Sequence, residues 1–133
     1  MRVTFWGHAF VELAGSGGSI LIDPFISGNP AAQQAGATVE RFSPKAILLT
    51  HGHSDHLGEA LQIAARSGAT IVAPFELAAY CQSKGATVHP MHIGGSRDFG
   101  WGWVKLTPAW HGSAVVDGGL VYTGCPCGFL VRM

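Results

Sequence analysis

Short apolar runs, separated by glycine and proline, recur along the chain at the length of β-strands. Some alternate apolar and polar residues, as residues 2–6 do, and others are wholly aliphatic, as residues 46–49 are. The first pattern is typical of a β-strand and the second of a buried strand. We predict strands at residues 2–6, 9–13, 19–22, 46–49, 70–73, 87–89, 97–99, 104–109 and 128–131.

Apolar residues at helical spacing predict two helices in the middle of the chain. The first begins near Leu57, and Gly68 ends it. The second covers residues 75–84, where Pro74 can start a helix and Gly85 can cap its end. Both helices therefore follow a predicted strand directly.

One long segment has no periodic pattern. Residues 25–44 are rich in glycine, proline and asparagine, which predicts a loop. A loop of this length is usually functional or mobile, so we expect it at the rim of a site.

The order of elements is strands, then alternating strands and helices, then strands again. This order predicts an α/β (α+β) fold in which helices pack outside sheets.

Composition and charge narrow the class of protein. With 133 residues we expect a single domain, and 47% hydrophobic residues are ample for its core. Eight basic residues balance eight acidic residues, so neither nucleic acid nor a membrane surface is favoured as a partner. The N-terminal residues lack the pattern of a signal peptide, and no apolar run has the length of a membrane span.

The cysteines point to the compartment. Their number is odd, and the spacing of Cys81, Cys125 and Cys127 does not match a disulfide framework. We interpret them as small apolar residues in a reducing environment. The predicted location is the cytoplasm.

The densest chemistry follows the buried strand predicted at residues 46–49. Four side chains that bind metals, His51, His53, Asp55 and His56, lie within six residues. Imidazole nitrogen and carboxylate oxygen suit zinc and its neighbours, with bonds of about 2.0–2.2 Å to zinc. Alternate residues of an extended segment point to one side, so His51 and His53 can bind one ion together. The other two side chains diverge towards a second ion. A polar loop with surface histidines is the alternative interpretation.

A tetrahedral site needs a further ligand beside His51 and His53. The best candidate is His111, which follows the strand predicted at residues 104–109 and so lies at a strand end. A surface histidine after a strand is the alternative.

The pattern His-x-His-x-Asp-His at residues 51–56 resembles the signature of the metallo-β-lactamase superfamily. Residues 1–10, 23–30, 93–95 and 107–111 resemble one branch of it, an uncharacterised group of metal-dependent hydrolases close to the ascorbate-phosphate lactonases. The resemblance implies a four-layer αββα sandwich of two similar halves, with metals at one edge between the sheets. Residues 1–133 would form the first half and the start of the second, so we expect a C-terminally truncated, incomplete domain.

The resemblance also implies roles for individual residues. His111 would complete the first metal site with His51 and His53. Asp55 and His56 would bind the second metal, and Asp55 would also orient the attacking hydroxide as a catalytic residue. A bridging aspartate and a final histidine, expected further along, have no counterpart, so five of the usual seven ligands are present.

Two more polar residues lie at predicted strand ends. In the resembling branch a histidine at the position of His8 lies near the metals and the substrate, although a structural, hydrogen-bonded histidine is an equal alternative. Asp23 ends an apolar strand, where a buried carboxylate needs a partner. It could hydrogen-bond a ligand histidine, or it could cap the turn before Pro24.

The function implied is that of a metal-dependent hydrolase. A metal-activated hydroxide would attack a small-molecule ester, lactone or phosphoester. The complete domain would hold two zinc ions, with manganese or iron as alternatives. The competing hypothesis is a catalytically incomplete fragment, which only binds metal or needs a second chain to complete the fold. The open edge of the last predicted strand favours such pairing, including a homo-oligomer.

Overall fold

Three β-sheets and four α-helices form the regular structure of the chain in a computed structural model that describes all residues 1–133. The strands are β1 (Arg2–Gly7), β2 (Phe10–Gly15), β3 (Gly18–Ile22), β4 (Ala46–Leu48), β5 (Thr70–Pro74), β6 (Val88–Met91), β7 (Ser96–Asp98), β8 (Trp103–Pro108), β9 (Ala114–Val116), β10 (Leu120–Tyr122) and β11 (Cys127–Arg132). The helices are α1 (Pro30–Gln34), α2 (Ser54–Leu57), α3 (Ala60–Ser67) and α4 (Phe75–Ser83), and Val39–Arg41 form a 3₁₀ turn.

The largest sheet contains the first six strands in chain order. Strands β1, β2 and β3 are antiparallel, because short turns connect them. Strands β3 to β6 are parallel to one another, and the connections from β4 to β6 cross over through helices. As a consequence β1, β3, β4, β5 and β6 all end at the same edge of the sheet. A second, antiparallel sheet has the order β11-β8-β7, and β9 and β10 form a separate hairpin.

Alternate residues of the central strands pack into two different cores. Leu21, Ile47 and Ile71 point to one face, where they meet the helices through Ile63 and Leu77. All five side chains are fully buried. The strands are aliphatic throughout because both faces are covered, so a continuous apolar run was the correct signal for them.

The opposite face of the large sheet packs on the three-stranded sheet. Ile20, Leu48 and Val72 form this core together with Val104 and Leu106 of β8. The layers therefore run helices, sheet, sheet, and the predicted mixed α/β class is confirmed. None of the four helices combines the length and the apolar composition needed to cross a bilayer.

The prediction of a continuous loop over residues 25–44 is wrong. The segment contains α1, which starts at Pro30 after the N-cap Asn29, whose side chain accepts a hydrogen bond from Ala32 N at 3.2 Å. Its buried residues, Ile26 and Phe42 among them, are too widely spaced to show a period, yet they pack into the core. The sequence signal for α1 was Asn29 followed by Pro30, and a search for periodic apolar residues does not detect such a signal.

The single helix predicted up to Gly68 is two helices. The break is at Gly58, which has a φ of +44°. A Cβ there would collide with the carbonyl oxygen of Pro24, so the helix must open where the loop after β3 crosses it closely. The hairpin of β9 and β10 was also not predicted.

Candidate metal centre

The predicted ligands collect at the edge where β1, β3 and β4 end. His8 follows β1, Asp23 follows β3, and the histidine-rich segment at residues 51–56 follows β4. Asp23 N donates to Leu48 O at 3.0 Å, which keeps the chain after β3 beside the chain after β4. Side chains that are distant in sequence become neighbours here because parallel strands deliver them to one edge.

The other sheet supplies the remaining histidine. His111 follows β8, and β11 pairs with β8 along its whole length. The amide of Cys127 at the start of β11 donates to Thr50 O at 2.9 Å. This hydrogen bond fixes the end of the second sheet against the motif of the first.

The structure brings His51, His53 and His111 into one cluster, with a ligand atom of each within 4.8 Å of the others. His53 Nδ1 lies 3.2 Å from His111 Nε2. Two nitrogens bound to zinc at about 2.0–2.1 Å in tetrahedral geometry would be about 3.3–3.4 Å apart. His51 is 5% exposed, and its buried Nε2 has no hydrogen-bond partner. An imidazole nitrogen left unpaired in a buried place is costly, and a bound cation would satisfy it. The three residues therefore fit a metal ion.

A second cluster contains His8, Asp55 and His56. His8 Nε2 lies 3.0 Å from Asp55 Oδ2, and both side chains are about half exposed. The rings of His8 and His56 are 5.0 Å apart, and the ring of Phe25 at the start of the 25–44 segment borders His8 at 5.7 Å. The two clusters adjoin, since the ring of His51 lies 4.0 Å from that of His56.

Asp23 connects the two clusters by hydrogen bonds. Its carboxylate is buried and accepts from Thr50 N at 2.8 Å, from Thr50 Oγ1 at 2.5 Å and from His56 Nδ1 at 2.7 Å. Because the Thr50 hydroxyl donates to Asp23, it accepts the proton of His51 Nδ1 at 2.9 Å. That tautomer leaves a lone pair on Nε2 of His51, the orientation that a metal ligand requires. Asp23 has a φ of +46°, a strained conformation for a residue other than glycine, and these contacts hold it there.

The local electrostatics keep His51 and Asp55 in the forms that bind metals, and they act in the opposite direction on His56. Burial and the neighbouring His56, His53 and His111 lower the pKa of His51 to about 4, so its ring is neutral near pH 7. Burial opposes ionisation of Asp55, but its backbone hydrogen bonds and the nearby His56 and His8 outweigh it and lower the pKa. Burial likewise opposes protonation of His56, yet the hydrogen bond to Asp23 raises its pKa.

Three residues outside the motif pattern hold the first cluster in place. The Ser113 hydroxyl accepts from Gly52 N at 3.0 Å and contacts Thr123 Oγ1 at 2.7 Å. Ser113 and Thr123 are buried, and a Cβ on Gly52 would collide with Thr123 Oγ1. Gly52 lies between His51 and His53 in the chain, and Ser113 follows two residues after His111. Their hydrogen bond therefore joins the two segments that carry the three histidines. In the sequence, only Gly52 indicated a close approach at this point, because Ser113 and Thr123 belong to no recognisable pattern.

A family model and curated relatives both match this chain. The family model of the metallo-beta-lactamase superfamily matches residues 4–127. A relative from Heliobacterium modesticaldum, named a UPF0173 metal-dependent hydrolase, is 50% identical over 134 residues, which is all of this chain and 55% of the relative. A relative of the same name from Carboxydothermus hydrogenoformans is 47% identical and covered to 58%. The chain thus spans little more than half the length of these curated relatives.

Solved structures share the arrangement of sheets and helices. Igni18, a metallo hydrolase from the archaeon Ignicoccus hospitalis, superposes with a TM-score of 0.79 at 28% identity, over 98% of this chain and 55% of that one. An isothiocyanate hydrolase from Delia radicum gut bacteria has a TM-score of 0.70 at 23% identity, over 99% of this chain and 58% of that one, which shows the fold alone.

Proposed function

The chain belongs to the metallo-beta-lactamase superfamily, and from that premise we propose that its two clusters are the metal centre of a hydrolase. His51, His53 and His111 would hold one ion, and Asp55 and His56 would contribute to a second. The observation that carries the proposal is the buried, unpaired Nε2 of His51 within a cluster of three imidazoles. A cation bound there would offset the cost of leaving this nitrogen unpaired.

A bound divalent ion supplies Lewis acidity, which polarises the scissile carbonyl or phosphoryl oxygen and allows water to attack near neutral pH. The protein contributes positioning. Asp55 is ionised and half exposed, so it can accept a hydrogen bond from the attacking water, and His8 at 3.0 Å fixes its carboxylate. Asp23, through Thr50, holds the proton of His51 on the nitrogen away from the ion. We assign Asp55 as the catalytic residue and Asp23 as a positioning residue.

The reaction proposed is hydrolysis of an ester, a lactone or a phosphoester. The oxygen of water bonds to the carbonyl carbon or phosphorus, and the bond to the leaving oxygen breaks. One proton of the water is transferred to the leaving group, and the acid product releases the other to solvent. Zinc is the proposed ion because the first cluster contains imidazole alone, a ligand set that suits zinc. The names of the relatives support the reaction class.

The test combines metal analysis with catalysis. We expect the purified chain to bind zinc, and to hydrolyse members of a panel of esters, lactones and phosphodiesters only when zinc is present. The variant His51→Ala should lose the activity and the tight binding of zinc at the first cluster. The matched control is His92→Ala, since His92 is an exposed histidine that stacks on Phe75 outside the centre. Hydrolysis that continues after complete chelation, or an unchanged affinity for the tightly bound zinc in His51→Ala, would refute the proposal.

We also propose a cytoplasmic location. Cys81, Cys125 and Cys127 are all free thiols, and Cys125 is exposed, a state that a reducing compartment preserves. Cell fractionation with the native gene tests this, and recovery of the protein in an oxidising compartment would disprove it.

A further inference from the structure

A cleft of about 480 Å³ opens beside the metal centre, on the side where α2, α4 and the β9–β10 hairpin meet. His53 and Asp55 line one end of it. The volume lies within the range of about 300–1,000 Å³ that is usual for small-molecule sites. A substrate whose reacting group lies at the metal centre would place its remaining atoms in this cleft.

The walls of the cleft away from the metal centre are apolar. Leu57 and Val115 are buried there, while Val116 and Leu120 line the cleft on the hairpin and are 83% and 79% exposed. An apolar ligand that covers exposed aliphatic side chains at a pocket removes their surface from water, which lowers the free energy of the complex. The shape and the chemistry of the walls therefore match a hydrocarbon chain.

The lining of the cleft offers no permanently charged basic side chain that would pair with an anionic group. Asp55 is the acidic residue of the lining, which contains no lysine or arginine. Lys84, at the end of α4, is occupied: its Nζ lies 2.6 Å from Asp117 Oδ2. The Tyr80 hydroxyl, which lines the cleft, donates to the same carboxylate at 3.2 Å. Asp117 lies in the β9–β10 hairpin, whereas Tyr80 and Lys84 lie on α4 and at its end. The same carboxylate therefore neutralises the lysine and holds the hairpin, with its apolar residues, against α4.

We propose that the substrates are uncharged carboxylic esters or lactones whose apolar acyl chain lies along Leu120 and Val116. This rests on the hydrolase function proposed above and selects among its three substrate classes. In the reaction the oxygen of water bonds to the acyl carbon and the acyl carbon–oxygen bond breaks. One proton is transferred to the alcohol oxygen and the other enters solvent, leaving a carboxylate whose hydrocarbon chain occupies the cleft.

The kinetic test uses the zinc-loaded chain with p-nitrophenyl acetate, butyrate and hexanoate, and with bis(p-nitrophenyl) phosphate. We expect kcat/KM to rise about tenfold or more from acetate to hexanoate, the scale of discrimination that a hydrophobic pocket gives. The variant Leu120→Asp should abolish this preference. The matched control is Leu130→Asp, because Leu130 is 54% exposed on β11 and does not line the cleft.

A second measurement does not depend on catalysis. Hexanamide, an uncharged and stable mimic of the acyl part, is titrated into the metal-free chain and followed by the methyl NMR signals of Leu57, Val115 and Leu120. We expect hexanamide to shift these signals and acetamide to leave them in place, and Leu120→Asp to weaken the shift.

The outcomes separate the two proposals. If zinc binds but none of the four compounds is hydrolysed, the hydrolase function fails, and the substrate class fails with it. If the phosphodiester is the best substrate, or if acyl length has no effect and Leu120→Asp behaves like Leu130→Asp, the hydrolase stands and the acyl-binding cleft is refuted. Absence of any methyl shift with hexanamide also counts against the cleft.

Discussion

The two clusters of the proposed metal centre differ in how their polar atoms are satisfied. In the first, three imidazoles from two different sheets meet, and the buried Nε2 of His51 has no partner in the protein. In the second, His8 pairs with Asp55 and His56 pairs with Asp23, so each group has a partner already. The first cluster is thus incomplete without a cation, whereas the second is self-sufficient.

This difference predicts unequal affinity. Binding at the first cluster removes a desolvation cost that the protein has already incurred. Binding at the second must break or share the half-exposed contact between His8 Nε2 and Asp55 Oδ2. We expect one tightly held ion at His51, His53 and His111 and a more weakly held ion at the second cluster. The following predictions test this contrast from the largest effect to the smallest.

The largest effect is expected from removing the orphaned ligand. His51→Ala should weaken binding of the tight ion by more than about a hundredfold, beyond the 10–100-fold typical of an outer hydrogen-bond partner. The measurement is zinc titration against a competing chelator. Zinc should also raise the Tm of the parent chain, because it binds the folded state alone, and should raise the Tm of the variant much less. Equal zinc affinities of the two chains would show that the tight site lies elsewhere.

A smaller effect, shared by both clusters, is expected at their common partner. Asp23→Asn removes the charge that orients Thr50, and through it His51, as well as the charge beside His56. We expect both zinc affinities to fall about 10–100-fold. Asp98→Asn is the control, since Asp98 is an exposed aspartate that caps Gly100 N at 2.9 Å in another sheet. A loss confined to one of the two ions would contradict the shared role.

The contact between the sheets should affect the first cluster alone. Ser113→Ala leaves Gly52 N and Thr123 Oγ1 without their buried partner, at a cost of about 1–3 kcal/mol in the free energy of unfolding. We expect the tight zinc affinity to fall about tenfold and the cobalt-substituted site to change its absorption spectrum. Ser96→Ala at an exposed position is the control. A lower Tm with an unchanged cobalt spectrum would mean that Ser113 stabilises the fold without positioning the ligands.

The smallest effect is expected at the exposed edge of the second cluster. His8→Ala removes a half-exposed contact with Asp55, and such surface contacts contribute about 0–1 kcal/mol to stability. We expect the weak zinc affinity to change by less than about tenfold and the tight affinity to stay as in the parent. Calorimetric titration resolves the two binding events. A change in the tight event would reverse the assignment of His8 to the second cluster.

The elements that a local pattern could predict share one property, a periodic environment. Strand β4 is covered on both faces, so its aliphatic run identified it, and the order of elements led to the correct fold class. The elements that were missed depend on single contacts. The helix at Pro30 begins at a cap. The helix break at Gly58 exists because a side chain there would collide with Pro24, which is 34 positions away, and a local sequence pattern does not contain such a contact.

The sequence alone determined which side chains could bind a metal and that four of them leave one buried strand together, because that strand and its motif are contiguous. The tertiary structure decided which of them lie close enough together to share an ion. His53 and His111 are 58 residues apart and meet at 3.2 Å only because two sheets pack face to face. It also decided which groups His8, Asp23 and His51 contact, because these hydrogen bonds join strand ends that neighbour one another only after parallel pairing.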